Sequence, residues 1–330
     1  MSKVGTSSVA FVALTATIWG GWIVGSQSPE GQEALAKAYK DFRETKAQKY
    51  EADFFAEDAL RVFVCGDGGL MDSTPNKPCL AVSAGGKLFI IDVGSGAAQA
   101  LERVGMPLNR LQSVLLTGAD PIRAGDLDEL WALASAQRMN SKLPVYGPTD
   151  AHRLVFGLNE AMGLKDSQTA GLEPWAPAPT QGEPVIVYKD AQLEVLSYTT
   201  EQDAWSGRVG YVFKYRGRVL TVAPNGSAAW AAAAPGDTDV LLQSSVDDAF
   251  ASLHTPDTTH FMAGLQQFAE AARDADANTV VFANAGDNPV VAEMSKRVAQ
   301  DAGVANAMTS NAGMMLELPL DNRDVNVRQL

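Results

Sequence analysis

From residue 60 onward apolar positions come in short runs broken by Gly, Pro, Asp and Asn, a period that predicts strands rather than long amphipathic helices. Strands are predicted at 61–65 (RVFVC), 79–84 (CLAVSA), 87–92 (KLFIID), 113–117 (SVLLT), 143–146 (LPVY), 184–188 (PVIVY), 192–198, 209–215, 218–223, 239–243, 278–283 and 314–318. Helical periodicity is confined to 95–104, 126–138, 149–162, 262–275 and 289–302. Early antiparallel hairpins such as CLAVSAGGKLFIID give way to strand–helix alternation, and the pattern starts again after about residue 184. Two β-rich halves, each finished by helices, predict an α/β domain with sheets packed face to face and helices outside. The loop 164–183, with its Gly, Pro and Trp, is the expected seam.

The chain before residue 60 follows other rules. Residues 8–26 (SVAFVALTATIWGGWIVGS) carry no charge and are long enough to cross a bilayer as a helix, with Trp19 and Trp22 suited to an interface. They read as a membrane anchor or, alternatively, as a signal peptide leaving through Gly25 and Ser26; the length of the run and the lack of an A-x-A exit favour the anchor. Segment 29–57 mixes acids and bases at helical spacing, for example Glu33 with Lys37, and predicts a solvated helix acting as a stalk. The expected organisation is thus an anchor over 1–28, a helical stalk over 29–58 and a folded domain over 59–330.

Charge and cysteine content narrow the partners. With 39 acidic against 26 basic residues and a net charge of −13, the chain lacks the clustered cations that nucleic acid or anionic lipid would need. Lys37, Lys40, Arg43 and Lys46 against Lys3 would place the body in the cytoplasm. The only cysteines, Cys65 and Cys79, flank the Gly-rich loop 66–78 on neighbouring predicted strands, which suits a disulfide and an oxidising compartment. Two buried free thiols in a cytosolic chain are the alternative. The cysteines decide the expectation: an inner-membrane, single-pass protein with its domain in the periplasm.

The segment L-T-G-A-D-P-I-R-A-G-D-L, from Leu116 to Leu127, reads as a strand running into a helix. Together with R-V-F-V-C-G-D-G-G-L, P-C-L-A-V-S-A-G-G-K-L-F-I-I-D-V-G-S-G, L-P-V-Y-G-P at 143–148 and G-Y-V-F-K-Y-R-G-R at 210–218, it resembles the ribonuclease Z and arylsulfatase-like branch of the metallo-β-lactamase superfamily. The resemblance covers most of residues 60–320 and implies an αββα four-layer sandwich. It also implies a metal held by an H-x-H-x-D-H loop, and there this chain departs. Gly118 and Asp120 stand where the first two histidines would be, and Ile122 and Arg123 where the aspartate and third histidine would be. Gln202 stands for a later histidine, Asn225 for a bridging aspartate, and Ala283 with Asn284 for a T-H pair. Amides are poor zinc donors, and neither an apolar side chain nor a guanidinium is one, so no metal cofactor is expected.

Other chemistry is sparse. Of three histidines, His152 sits on a predicted helix, while His254 and His260 flank Asp257 in a segment that a solvated pre-helix loop explains equally well. Asp67 and Asp72 read as turn residues, G-D-G-G lacks the pattern of a phosphate loop, and Ser227 and Ser244 have no triad spacing. Asp92, followed by Gly94, matches the turn of the resembled family and reads as a structural acceptor. The expectation is therefore a non-catalytic, membrane-anchored protein that binds partners in a membrane assembly, with Arg123 paired to Asp120 or Asp126 to hold its loop closed. Two alternatives are a small-molecule module, taking an anionic or carbonyl-bearing ligand among Gln202, Asn225, Asn284 and Arg123, and a hydrolase rebuilt from His254, His260, Asp120 and Asp257.

Overall fold

The computed structural model describes residues 28–66, 77–137, 141–175, 184–199, 208–224, 237–244, 258–283 and 289–329. In chain order the described elements are α1 (Pro29–Phe54), β1 (Ala59–Gly66), β2 (Cys79–Ala84), β3 (Lys87–Ile91), α2 (Ala97–Val104), β4 (Leu111–Leu115), α3 (Pro121–Ala124), α4 (Leu127–Gln137), β5 (Leu143–Tyr146), α5 (Ala151–Ala161) and β6 (Leu172–Trp175). There follow β7 (Val185–Lys189), β8 (Leu193–Tyr198), β9 (Gly210–Tyr215), β10 (Arg218–Ala223), β11 (Val240–Gln243), α6 (Thr258–Asp274), β12 (Thr279–Phe282), α7 (Pro289–Ala302), β13 (Asn306–Thr309), β14 (Met314–Pro319) and β15 (Asn326–Gln329).

The strands form two sheets, ordered β15-β14-β1-β2-β3-β4-β5-β6 and β13-β12-β11-β10-β9-β8-β7. Every residue of β1 is buried because both faces of its sheet are covered. Leu60, Val62 and Val64 enter an apolar cluster with Phe213, Leu220, Val222 and Leu242 of the second sheet. Phe63 and Cys65 point the other way, into a cluster with Leu101, Leu127, Leu130 and Val155 of α2, α4 and α5. On the far side of the second sheet, Leu241, Val280 and Phe282 pack against Phe268, Ala272 and Ala299 of α6 and α7. The layers therefore run helices, sheet, sheet, helices, and the period-two alternation of each strand decides which core a residue joins. Strands β3 to β6 are mutually parallel, as are β10 to β13, so within each run the carboxyl ends of the strands lie at one end of its sheet.

Several sequence expectations change. The seam 164–183 contains β6, which extends the first sheet by pairing parallel to β5. The two halves do not each keep their own sheet: β14 returns from the chain's end to pair with β1. Helix α1 forms over the expected stalk, but residues through Tyr50 and those from Glu51 onward belong to different compact units. From Glu51 the chain is part of the domain: Phe54 and Phe55 are buried, and Glu51 pairs with Arg110 at 2.8 Å. Cys65 and Cys79 are joined as a disulfide, their Cα atoms 5.0 Å apart, rather than buried as free thiols. Among the described residues no helix is long and apolar enough to cross a membrane. Residues 8–26 lie outside the described residues.

Candidate functional site

The candidate site is built on the segment that leaves β4. Leu116 continues the sheet by donating its N–H to the Tyr146 carbonyl at 2.7 Å, and its own carbonyl accepts from the Tyr211 hydroxyl of the second sheet at 2.8 Å. Thr117 is then gripped by Asp92, whose Oδ1 accepts from the Thr117 N–H and whose Oδ2 accepts from its hydroxyl, both at 2.7 Å. Asp92 follows β3 with φ 56°, a left-handed turn that brings its fully buried carboxylate beneath the next strand. Burial pushes the Asp92 carboxyl up to about 6, against the opposing pull of Arg123 and the Thr117 donors.

Asp120 caps α3, its Oδ1 accepting from the Ile122 N–H at 3.0 Å, with Pro121 preset for the first helical turn. Its other oxygen receives two guanidinium groups, Arg123 Nη1 at 2.7 Å and Arg208 Nη1 at 2.5 Å. Arg123 is 1% exposed, Arg208 12% and Asp120 30%, so the cluster runs from the interior to the surface. Burial alone would raise the Asp120 carboxyl, but the two guanidiniums outweigh it and hold the group below its ordinary value. Arg208 reaches Gly118 because the Val209 N–H bonds the Thr117 carbonyl at 3.0 Å, joining the opening of β9 to the end of β4. Gly118 has a steric reason to be glycine: a Cβ there would collide with Arg208 Nη1 and stand 2.9 Å from Asp120 Oδ2.

The loop is also fixed from below. Val93 exchanges backbone hydrogen bonds with the loop, donating to the Arg123 carbonyl at 2.6 Å and accepting from the Asp126 N–H at 3.0 Å. Asp126 accepts from the Gly96 N–H at 2.7 Å, at the start of α2, so it braces that helix instead of Arg123. Of the two partners expected for Arg123, the structure shows the ion pair with Asp120. Gly94 lies so close to the Ile122 carbonyl and Lys77 that any Cβ would collide with both.

Gly118, Asp120, Ile122 and Arg123 thus come together in one loop. Gln202, Asn225 and Asn284 lie outside the described residues, as do Asp67, Asp72, Ser227, His254 and Asp257. His260 falls within α6, and His152 is exposed on α5. Ser244, at the end of β11, is buried with its Oγ 3.4 Å from the Thr117 hydroxyl. Sequence reasoning missed Arg208. Its signal was a single cation opening the apolar strand G-Y-V-F, but the partner lies 88 residues away along the chain.

Both sheets contribute to this site: β4 and β11 end there, and β9 begins there. The same arrangement of layers is found in human tRNase Z, short form, which is 15% identical, matches 78% of this chain and 99% of its own, and superposes with a TM-score of 0.57. The chain has the metallo-β-lactamase fold. Zinc-bound PqqB from Methylobacterium extorquens is similar too, at 17% identity over 78% of this chain and 99% of that one, TM-score 0.54. A diphosphatase of the PhnP family matches at 15% identity over 78% and 97%, TM-score 0.52. No protein-family model and no curated protein sequence matches the chain.

These neighbours correct one expectation. The chain was expected not to be an enzyme, yet structures that share its metallo-β-lactamase fold are named for a tRNase and a diphosphatase. Missing ligands in one loop are therefore no ground for setting it apart from enzymes, and that expectation is withdrawn. The metal is a separate question, and it turns on donors. Among the described residues no group of three or more His, Cys, Asp or Glu converges on one point. Asp120, the carboxylate of the loop, is held by two cations, and the space beside Gly118 is taken by a guanidinium. The described side chains do not fit a divalent ion, because fixed positive charge stands where the ion would need donors.

Proposed function

We propose that this metallo-β-lactamase-fold chain takes a small anionic ligand of the phosphate-ester class at the site around Asp120 and Arg208. The observation that carries the reading is the convergence of Arg123 and Arg208 on one partly exposed carboxylate. A guanidinium offers several N–H donors in a planar fork, so one group can hold a carboxylate and an incoming anion together. The place fits as well, because ligands of sheet-based α/β folds settle beyond the carboxyl ends of the strands. A diphosphatase and a tRNase among the structures of this fold make phosphate esters the class to test first.

In this reading the residues have different tasks. Asp120 orients both arginines and caps α3, Arg123 anchors the loop from inside, and Arg208 faces the ligand. Gly118 leaves room for the Arg208 head group. The same proposal keeps the membrane attachment through residues 8–26 and a periplasmic body, supported by the uncharged run and by the Cys65–Cys79 disulfide.

Titration calorimetry of the purified full-length protein with inorganic pyrophosphate tests the reading. Saturable binding that survives EDTA and weakens about tenfold or more in Arg208→Ala is the expected result, in line with the loss of a charge-assisted hydrogen bond. No binding, or binding seen only after zinc is added, overturns it. Phosphate release in the same samples shows whether binding leads to turnover.

A further inference from the structure

On the inter-sheet face of the first sheet, one row of side chains leads from the Asp120 loop to the sheet edge. Leu115 of β4 pairs with Tyr146 of β5, and Tyr146 pairs with Trp175 of β6. Leu115 belongs to the inter-sheet core, Tyr146 packs against that core, and Thr117, two residues beyond Leu115, faces Ser244 of the second sheet. The row therefore faces the second sheet on the same side as Thr117, and its last members lie at the carboxyl ends of β5 and β6. Its outer member is unusual for a core row: Trp175 is 50% exposed, yet its ring is stacked on Tyr146 with centroids 6.1 Å apart and planes at 22°.

The backbone holds this pair firmly. The Tyr146 carbonyl accepts from Leu116 at 2.7 Å and lies 3.4 Å from the Tyr211 hydroxyl, while the Gly147 N–H donates to the Trp175 carbonyl at 3.2 Å. One face of the indole is backed by Tyr146, and half of the side chain's surface meets solvent. A flat, preorganised aromatic surface of this kind stacks on planar rings at little entropic cost. Two strand spacings separate Trp175 from β4, about 10 Å, the scale of a single nucleotide.

We infer that Trp175, stacked on Tyr146, is a platform for the planar base of the ligand whose phosphate meets Arg208, so that the substrate class is nucleotide-like. The inference rests on the anion reading for its phosphate end and on the aromatic row for its base end. Trp175 sets specificity, and Tyr146 positions it.

Four probes separate the two ends: adenosine 5′-monophosphate, adenosine, ribose 5-phosphate and pyrophosphate, titrated into the full-length wild type, Trp175→Ala and Trp175→Phe. In the wild type the monophosphate binds roughly 5- to 150-fold more tightly than ribose 5-phosphate, the span expected for stacking one base. In Trp175→Ala that advantage disappears while the affinity for ribose 5-phosphate and pyrophosphate is unchanged, and Trp175→Phe restores most of it. Equal wild-type binding of the two sugar phosphates, or equal weakening of both by Trp175→Ala, overturns the platform and leaves the anion reading standing. Adenosine binding that depends on Trp175, with no binding of ribose 5-phosphate or pyrophosphate, sinks the anion reading and supports the platform. No binding of any probe overturns both. Unchanged far-ultraviolet circular dichroism and melting in Trp175→Ala exclude misfolding, as expected for a half-exposed edge residue.

Discussion

Two clusters in this molecule have the same composition, one aspartate between two arginines, and differ in what surrounds them. Asp120 receives Arg123 and Arg208 beyond the carboxyl end of β4, on a loop that is open to solvent at Asp120. Asp239 receives Arg218 at 3.3 Å and Arg323 at 2.9 Å, just ahead of β11 and at the first residue of β10. In the second cluster the carboxylate is closed off, and only the Arg323 side chain reaches solvent. The Asp239 side chain is 3% exposed and its Oδ2 also accepts from the Val219 N–H at 2.7 Å, while Arg218 donates to the carbonyls of Asn322 at 2.8 Å and Asp324 at 3.0 Å. It ties the segment leading into β15 to the amino ends of β10 and β11. The first cluster uses the same groups at the opposite ends of the strands, where a ligand can reach them. Identical chemistry is thus structural where backbone groups enclose the carboxylate and open to solvent where the carboxylate itself is exposed.

The sharpest way to break that comparison is to delete each aspartate. Asp239→Ala leaves the Arg218 charge in the interior without its carboxylate and is expected to cost about 3–5 kcal/mol in urea denaturation. Asp120→Ala removes a helix cap and the carboxylate beside the 1% exposed Arg123, but Asp120 itself is 30% exposed, so water can take its place, and the expected cost is smaller, about 1–3 kcal/mol. Equal losses would show that exposure does not separate the two clusters.

A second test uses pH, because the site holds two carboxylates, one buried and one partly exposed, shifted in opposite directions. Burial raises Asp92 to about 6, so between its ordinary value of 3.8 and 6 the folded state binds more protons than the unfolded one. The stability tied to Asp92 is fully present below 3.8 and is lost as pH rises through about 6. Asp120 lies below 3.8 and contributes the reverse: stability present above that value and lost on acidification. Urea midpoints for wild type and Asp92→Asn from about pH 4 to about pH 7 should therefore differ in slope by up to about 1.4 kcal/mol per pH unit, the variant lacking the decline. Parallel curves would mean that Asp92 is not raised in the folded protein.

The smallest expected effect comes from Arg323→Ala. Its side chain is 65% exposed, so water screens its pairing with Asp239, and the urea midpoint should stay within experimental error. A loss comparable to that of Asp239→Ala would show that the closed cluster needs both arginines.

The strands that escaped sequence reading were β6, β13 and β15, and all three are sheet edges. An edge strand has one neighbour and need not be buried on both sides: β15 is exposed along its whole length, and Asn306 of β13 is exposed as well. Their residues, N-V-R-Q and N-A-M-T, carry little of the apolar signal that marks the central strands. The central strands were legible because layers on both faces require apolar side chains at nearly every position. Within the site, Asp120 and Arg123 were readable as a pair because they lie three residues apart on one turn. Arg208 was not, since no local pattern links it to Asp120 across 88 residues.

The sequence by itself determined the layered α/β class, the central strands, the placing of Cys65 and Cys79 on neighbouring strands and the lack of metal-donor side chains at 118, 122 and 123. These follow from local periodicity and side-chain chemistry, which act over a few residues. Only the tertiary structure decided that β14 returns to β1, that Arg208 closes on Asp120 and that Trp175 stacks on Tyr146 at the sheet edge. Each of those depends on which strands become neighbours, a choice made by burial of both sheet faces at once, and no short stretch of chain carries it.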